Sequence, residues 1–125
     1  MTSFDPRKSA LKDCTLADFL SADLTDDLEC VPGIGPATAE HLKTNSVVDN
    51  TYQLIGVFLK FKRTGNNVDH ANRFFNYLKH AGVSANKHNI VQAICEKVAL
   101  LLPEIYDETD FYMDDASSTA SATSD

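Results

Sequence analysis

With 125 residues, 43% of them hydrophobic, the chain can build one small domain with a modest core, which excludes a large multi-domain enzyme. No apolar run approaches the ~18 residues that cross a bilayer, so no membrane insertion is expected, and residues 1–14 contain no signal-peptide core. The net charge of −7 is unevenly spread: residues 1–30 carry three bases against seven acids and residues 107–125 six acids and no base, whereas residues 31–106 carry eight bases against five acids.

In chain order, residues 1–13 read as a flexible lead-in and residues 14–106 as a helical domain. Thr15-Leu16-Ala17-Asp18 has the spacing of a capping box, and Leu16, Phe19 and Leu20 then form an i, i+3, i+4 face. Thr25 can cap a second short turn carrying Leu28. Cys14, Cys30 and Cys95 are odd in number and far apart. They fit neither a disulfide framework nor a C-x-x-C metal knuckle, which points to a reducing, intracellular compartment.

Residues 31–42, VPGIGPATAEHL, form the sharpest local feature. Gly33 and Gly35 permit positive φ and close backbone approach, and Pro36 suits the first position of a helix. Ile34 is expected to tuck beneath the turn. The amides of Gly33, Gly35 and Ala37 would then face outward beside a positive helix end, with Thr38 and Lys43 close by. Such a place fits a phosphate oxygen.

Asn50 and Gln53 open a further helix in which Leu54, Ile55, Val57, Phe58, Leu59 and Phe61 leave almost no polar face. That helix belongs at the centre of a bundle or at a subunit contact. Lys60, Lys62 and Arg63 follow it, as a second phosphate contact or as charges compensating a helix C-terminus. Ala71, Phe74, Phe75 and Leu78 recur at helical spacing, with Gly82 at a good distance for a C-cap. Arg73 and Lys79 read as a solvated face. The last helix carries two adjacent stripes, Ile90-Ile94-Val98-Leu101 and Val91-Cys95-Leu102, and stops near Pro103. One stripe can pack inward. The other needs cover, and a two-fold homodimer through Ile90, Ile94, Val98 and Leu101 is expected to supply it. The alternative cover is residues 14–30, using Leu16, Phe19, Leu20 and Leu28.

Residues 107–125 are rich in Ser, Thr, Ala and acid, and read as a disordered tail in which Phe111 and Tyr112 are the adhesive residues. The tail is expected to compete with DNA for the basic middle of the chain, more strongly if Ser117, Ser118 or Thr119 is phosphorylated. The fold class expected overall is all-α: a compact bundle of five or six short helices.

The stretch 31–42 resembles the helix-hairpin-helix motif of SAM-like domains, which grips the DNA backbone without reading bases. From Val31 to about Val98 the chain is similar to the barrier-to-autointegration factor family of small helical DNA-bridging proteins. The matching landmarks are Gly33-Ile34-Gly35, Leu42, Leu54-Ile55-Gly56, Phe58-Leu59, Lys62, Phe74-Phe75, Tyr77-Leu78-Lys79, Gly82 and Ala85-Asn86. Spacing departs around residues 64–68, Glu40-His41 stand where the family has adjacent lysines, and there is no tryptophan in the last helix. The resemblance implies non-specific binding of double-stranded DNA through Gly33, Ile34, Gly35, Pro36, Ala37, Thr38, Lys43, Lys62 and Arg63. It also implies a homodimer that bridges duplexes, a nuclear location with the cytoplasm left open, and partners bearing LEM domains at the nuclear envelope.

Catalysis has little to stand on. His41, His70, His80 and His88 lack metal-ligand spacing beyond the distant His70–His80 pair, and the carboxylates gather at the two ends of the chain. No serine lies in a nucleophile elbow. Gly33-Ile34-Gly35 lacks the third glycine and preceding strand of a dinucleotide site. The expectation is a non-enzyme with no catalytic residue, metal or cofactor. The competing reading is a protein-interaction module of the same fold with weak or no DNA binding, favoured by Glu40 and the acidic ends.

Overall fold

The computed structural model describes residues 4–63 and 67–106, and the expected tail lies outside them. The described residues are all-helical: α1 (Asp13–Ser21), α2 (Pro36–Ser46), α3 (Thr51–Lys60), α4 (Asn67–His80) and α5 (Lys87–Leu101), with 3-10 turns at Pro6–Lys8 and Leu28–Cys30. None of these helices is long and apolar enough to cross a membrane.

α4 supplies the clearest link from pattern to packing. Ala71, Phe74, Phe75 and Leu78 are all buried, as their spacing requires. Phe58 of α3 meets the Phe74 ring edge-on at 5.2 Å and stacks on His70 at 4.0 Å. The helix stops at Gly82, whose φ of +95° lets Val83 N–H reach Leu78 O and Gly82 N–H reach Lys79 O. That pair of bonds closes a Schellman cap. Asn50 caps α3 by accepting from Gln53 N–H at 2.8 Å. α3 is less buried than its composition suggests, since Leu54 and Phe58 face the core while Ile55, Val57 and Leu59 are half-covered.

Three boundaries differ from expectation. α1 begins at Asp13 with Lys12 as its N-cap, so Thr15 is inside the helix and caps nothing. The turn at Leu28–Cys30 is capped by the Asp27 carboxylate on Glu29 N–H, while Thr25 accepts from Asp27 N–H instead. Residues 4–12, expected to be loose, are docked. Phe4 is buried, its N–H donates to Asn72 Oδ1 at 2.8 Å, and Pro6–Lys8 packs against α5.

α5 is the central helix. Ile90, Ile94 and Val98 of the expected dimer seam are each 0% exposed within the single chain, as is Val91 of the neighbouring stripe. The cover comes from α1 and Pro6–Lys8 on one side and α4 and α3 on the other. Only Leu101 of the four expected seam residues lies at the surface, beside Leu100 and Leu102. The seam is therefore corrected to an internal one, because the N-terminal segment folds back over it.

What holds α1 in place is polar as well as apolar. None of its residues is fully buried. Lys97 reaches from α5 beneath it, 3% exposed, and its ammonium donates to the carbonyls of Phe19 (3.0 Å), Leu20 (2.9 Å) and Ala22 (2.6 Å). These are carbonyls that a helix end leaves without intrahelical partners, so one buried cation satisfies three of them at the C-terminus of α1.

Candidate nucleic-acid interface

The turn before α2 is built as its sequence dictates. Val31 O accepts from Ile34 N–H at 3.0 Å, Pro32 occupies the second position and Gly33 the third, with φ +97°. Those are the residues a type II turn asks for. Val31 and Ile34 are buried beneath it, so the turn is pinned from below. The element preceding the turn is only the 3-10 turn Leu28–Cys30, rather than a full helix.

The two glycines have different jobs. A Cβ on Gly33 would stand 2.9 Å from Ile90 Cγ1 and 3.2 Å from Asn89 Cβ, so both conformation and space require glycine there. Gly35 is the N-cap of α2 in an extended conformation (φ −101°, ψ −174°), and a Cβ there would meet nothing within 4 Å. Gly35 does not use the positive φ that glycine permits. Its role is to leave the approach to the helix end open. Pro36 takes the first helical position, and the first amide of α2 to find a partner among the described residues is Ala39 N–H, on Gly35 O at 2.9 Å. Ala37 and Thr38 therefore present their N–H groups at an uncapped, positive helix end. Lys43 is exposed two turns further along, with Glu40 between them accepting from Thr44 Oγ at 3.0 Å.

Lys62 and Arg63 do not join this turn. Lys62 donates to Asn67 Oδ1 at 3.2 Å, at the start of α4, and its charge bears on His70. His70 packs with Phe58 and Tyr106 beyond the C-terminal end of α5. Gly33 touches the opposite end of α5, about 20 Å away for a helix of this length.

The structure brings other bases to the hairpin. α5 begins directly beside Gly33, so two helix N-termini converge there. Asn86 precedes α5 in the left-handed region (φ +63°) and makes no side-chain cap, leaving the first turn of α5 open as well. Around it lies a cleft of about 430 Å³ lined by Lys8, Lys79, Lys87, His88, Asn86, Asn89 and Ser84. Asn89 is the shared wall: its Oδ1 accepts from Ala10 N–H at 2.7 Å while its Cβ backs onto Gly33. Lys87 is poised over the Phe75 ring at 5.8 Å. Neither Lys8 nor Lys87 makes an ion pair among the described residues.

His88 adds no charge at neutral pH. Burial pushes its pKa below the ordinary value, and the Lys8 ammonium pushes it the same way. Its Nδ1 accepts from Asp5 N–H at 3.2 Å, which leaves the ring proton on Nε2. The cleft thus offers three ammonium groups, the uncapped start of α5 and neutral donors, with the start of α2 behind Asn89 and Gly33. That combination suits an anion with several oxygens.

Lys8 and Lys87 were not among the residues singled out by sequence, and Lys79 was read as a solvated face. Only the Ala85-Asn86 landmark immediately before Lys87 signals a helix start there. Comparison with protein families, with curated proteins and with solved structures finds no match to this chain.

Proposed function

We propose that the chain grips double-stranded DNA by its phosphate backbone, without reading bases, through the turn at 32–38 and the adjoining lysine cleft. The observation that carries this reading is the convergence of the α2 and α5 N-termini beside Lys8, Lys79 and Lys87. Helix ends and ammonium groups neutralise phosphates but make no contact with base edges. The hairpin then acts as a helix-hairpin-helix element whose first helix is shortened to one 3-10 turn. Two duplexes are bridged when two copies associate, and Leu100, Leu101 and Leu102 (60%, 50% and 44% exposed) are the apolar surface such a pair would cover. A nuclear location, no catalytic role, and contact with LEM-domain proteins belong to the same proposal.

The test is fluorescence anisotropy with three duplexes of unrelated sequence across a salt series. Equal affinities that fall with salt along a log–log slope of about −3 per copy are expected for three neutralised phosphates. Affinity that ignores salt would overturn the reading. A second reading, a protein-interaction module, is favoured by the same three exposed leucines and by Glu40 between the hairpin and Lys43. It predicts no retention on any duplex at low salt.

A further inference from the structure

We propose that the acidic C-terminal segment of the same chain occupies the Lys8–Lys79–Lys87 cleft, with Asp114 and Asp115 as the residues that reach it. The proposal rests on the reading of that cleft as a polyanion site and adds its regulation. Two observations carry it, charge and reach, and the acidic lining of a second groove of similar size sets the lysine cleft apart.

Residues 107–125 hold six carboxylates and no base, while the cleft presents three ammonium groups. Another groove, about 480 Å³, lies between α1 and the turn at Leu28–Cys30, and its lining includes Asp18, Asp23 and Glu29. It repels the segment that the lysine cleft attracts.

Reach follows from where the segment starts. Tyr106 is fixed at the far end of α5, with its ring 5.5 Å from Phe58 and 5.8 Å from His70. Returning along the 15 residues of α5 covers about 22 Å. An extended chain spans about 3.3 Å per residue, so roughly seven residues make the journey. Asp114 and Asp115 stand eight and nine positions after Tyr106, and Ser117, Ser118 and Thr119 follow at once. Each carboxylate–lysine pair is exposed and weak. Tethering compensates, because a link of eight or nine residues to Tyr106 holds the carboxylates at an effective concentration on the order of millimolar. Duplex DNA must displace it, and phosphate on Ser117, Ser118 or Thr119 strengthens the competition.

Zero-length carbodiimide cross-linking of the full chain tests the contact directly, since it joins carboxylates to amines only when they touch. Peptide mapping of the monomeric fraction is expected to find Asp114 or Asp115 joined to Lys8, Lys79 or Lys87 at low salt, with the products lost in 0.5 M salt. Products only with Lys43, Lys60 or Lys62, products only in covalent dimers, or none, would overturn the proposal. In parallel, full-length D114N/D115N is expected to bind a duplex several-fold tighter than the parent at low salt. Unchanged or weaker binding would overturn competition. Duplex binding by the parent that is insensitive to salt would overturn the DNA reading, independently of the cross-link map.

Discussion

Gly33 lies directly against Ile90: the space a Cβ would fill on the turn is already taken by Ile90 Cγ1, 2.9 Å away. The contact joins the start of α2 to the start of α5 and so assembles both positive helix ends. Gly33→Ala meets this clash in a backbone of φ +97°, and is expected to destabilise the domain by about 2 kcal/mol or more in urea unfolding. Gly35→Val behaves differently. Its side chain enters open space and lowers the urea midpoint only by the modest cost of an apolar N-cap, about 1 kcal/mol, yet it stands in front of the Ala37 and Thr38 amides and abolishes duplex binding. A folded Gly35→Val protein that binds DNA as the parent does would remove the turn from the interface.

His70 makes stability depend on pH. It is 1% exposed, Nε2 bonds Phe58 O at 2.6 Å, and Nδ1 is buried without a hydrogen-bond partner among the described residues. Burial pushes its pKa below 6.5, and the charges of Lys62 and Arg73 push the same way against the opposing Phe58 carbonyl. The unfolded chain therefore takes up the proton first on acidification. The stabilising difference is fully present above pH 6.5 and is lost as pH falls from there toward the lower folded-state value. Urea midpoints should drop between pH 7.5 and 5.5, and the drop should shrink in His70→Gln. An equally steep loss in that variant would place the titration elsewhere, with His88 the next candidate since its pKa is lowered too.

Lys97 is the latch on α1. Replacing it with Met keeps the volume but leaves the carbonyls of Phe19, Leu20 and Ala22 without their donor. The expected cost is about 2–3 kcal/mol, since the lost bonds are charge-assisted and one cation satisfies all three. Amide exchange in residues 16–22 should accelerate far more than in α4. Uniform acceleration across the chain would show that α1 and the core open together.

The extent to which sequence foretold this depends on how far each feature relies on distant residues. α4 and its cap were legible because Ala71, Phe74, Phe75, Leu78 and Gly82 encode them locally. Asn50 was legible for the same reason. The docking of residues 4–12 was not, because it is made by pairs such as Phe4–Asn72, Asp5–His88 and Ala10–Asn89, which periodicity cannot link. With that docking went Lys8 and half of the cleft. The α5 stripes were visible, but which neighbour covered them was not. Lys97 interrupted an apolar pattern, and nothing local said its charge would be spent on α1.

The placement of bases sets the second phosphate contact expected at Lys62 and Arg63 far from the hairpin. Lys8 and Lys87 flank the converging helix ends, whereas Lys62 and Arg63 stand at the opposite end of α5. Charge reversal at Lys8 and Lys87 should weaken all duplexes alike and flatten the salt dependence by about one unit of slope per lysine. Reversal of Lys62 and Arg63 should leave most of the affinity of a short duplex intact, since a fragment of ~10 base pairs seated on the hairpin has little length left to reach them. The two double variants, measured against the same short duplex, decide which end of the molecule is the grip. If Lys62→Glu with Arg63→Glu costs more than Lys8→Glu with Lys87→Glu, the hairpin end is not where DNA binds.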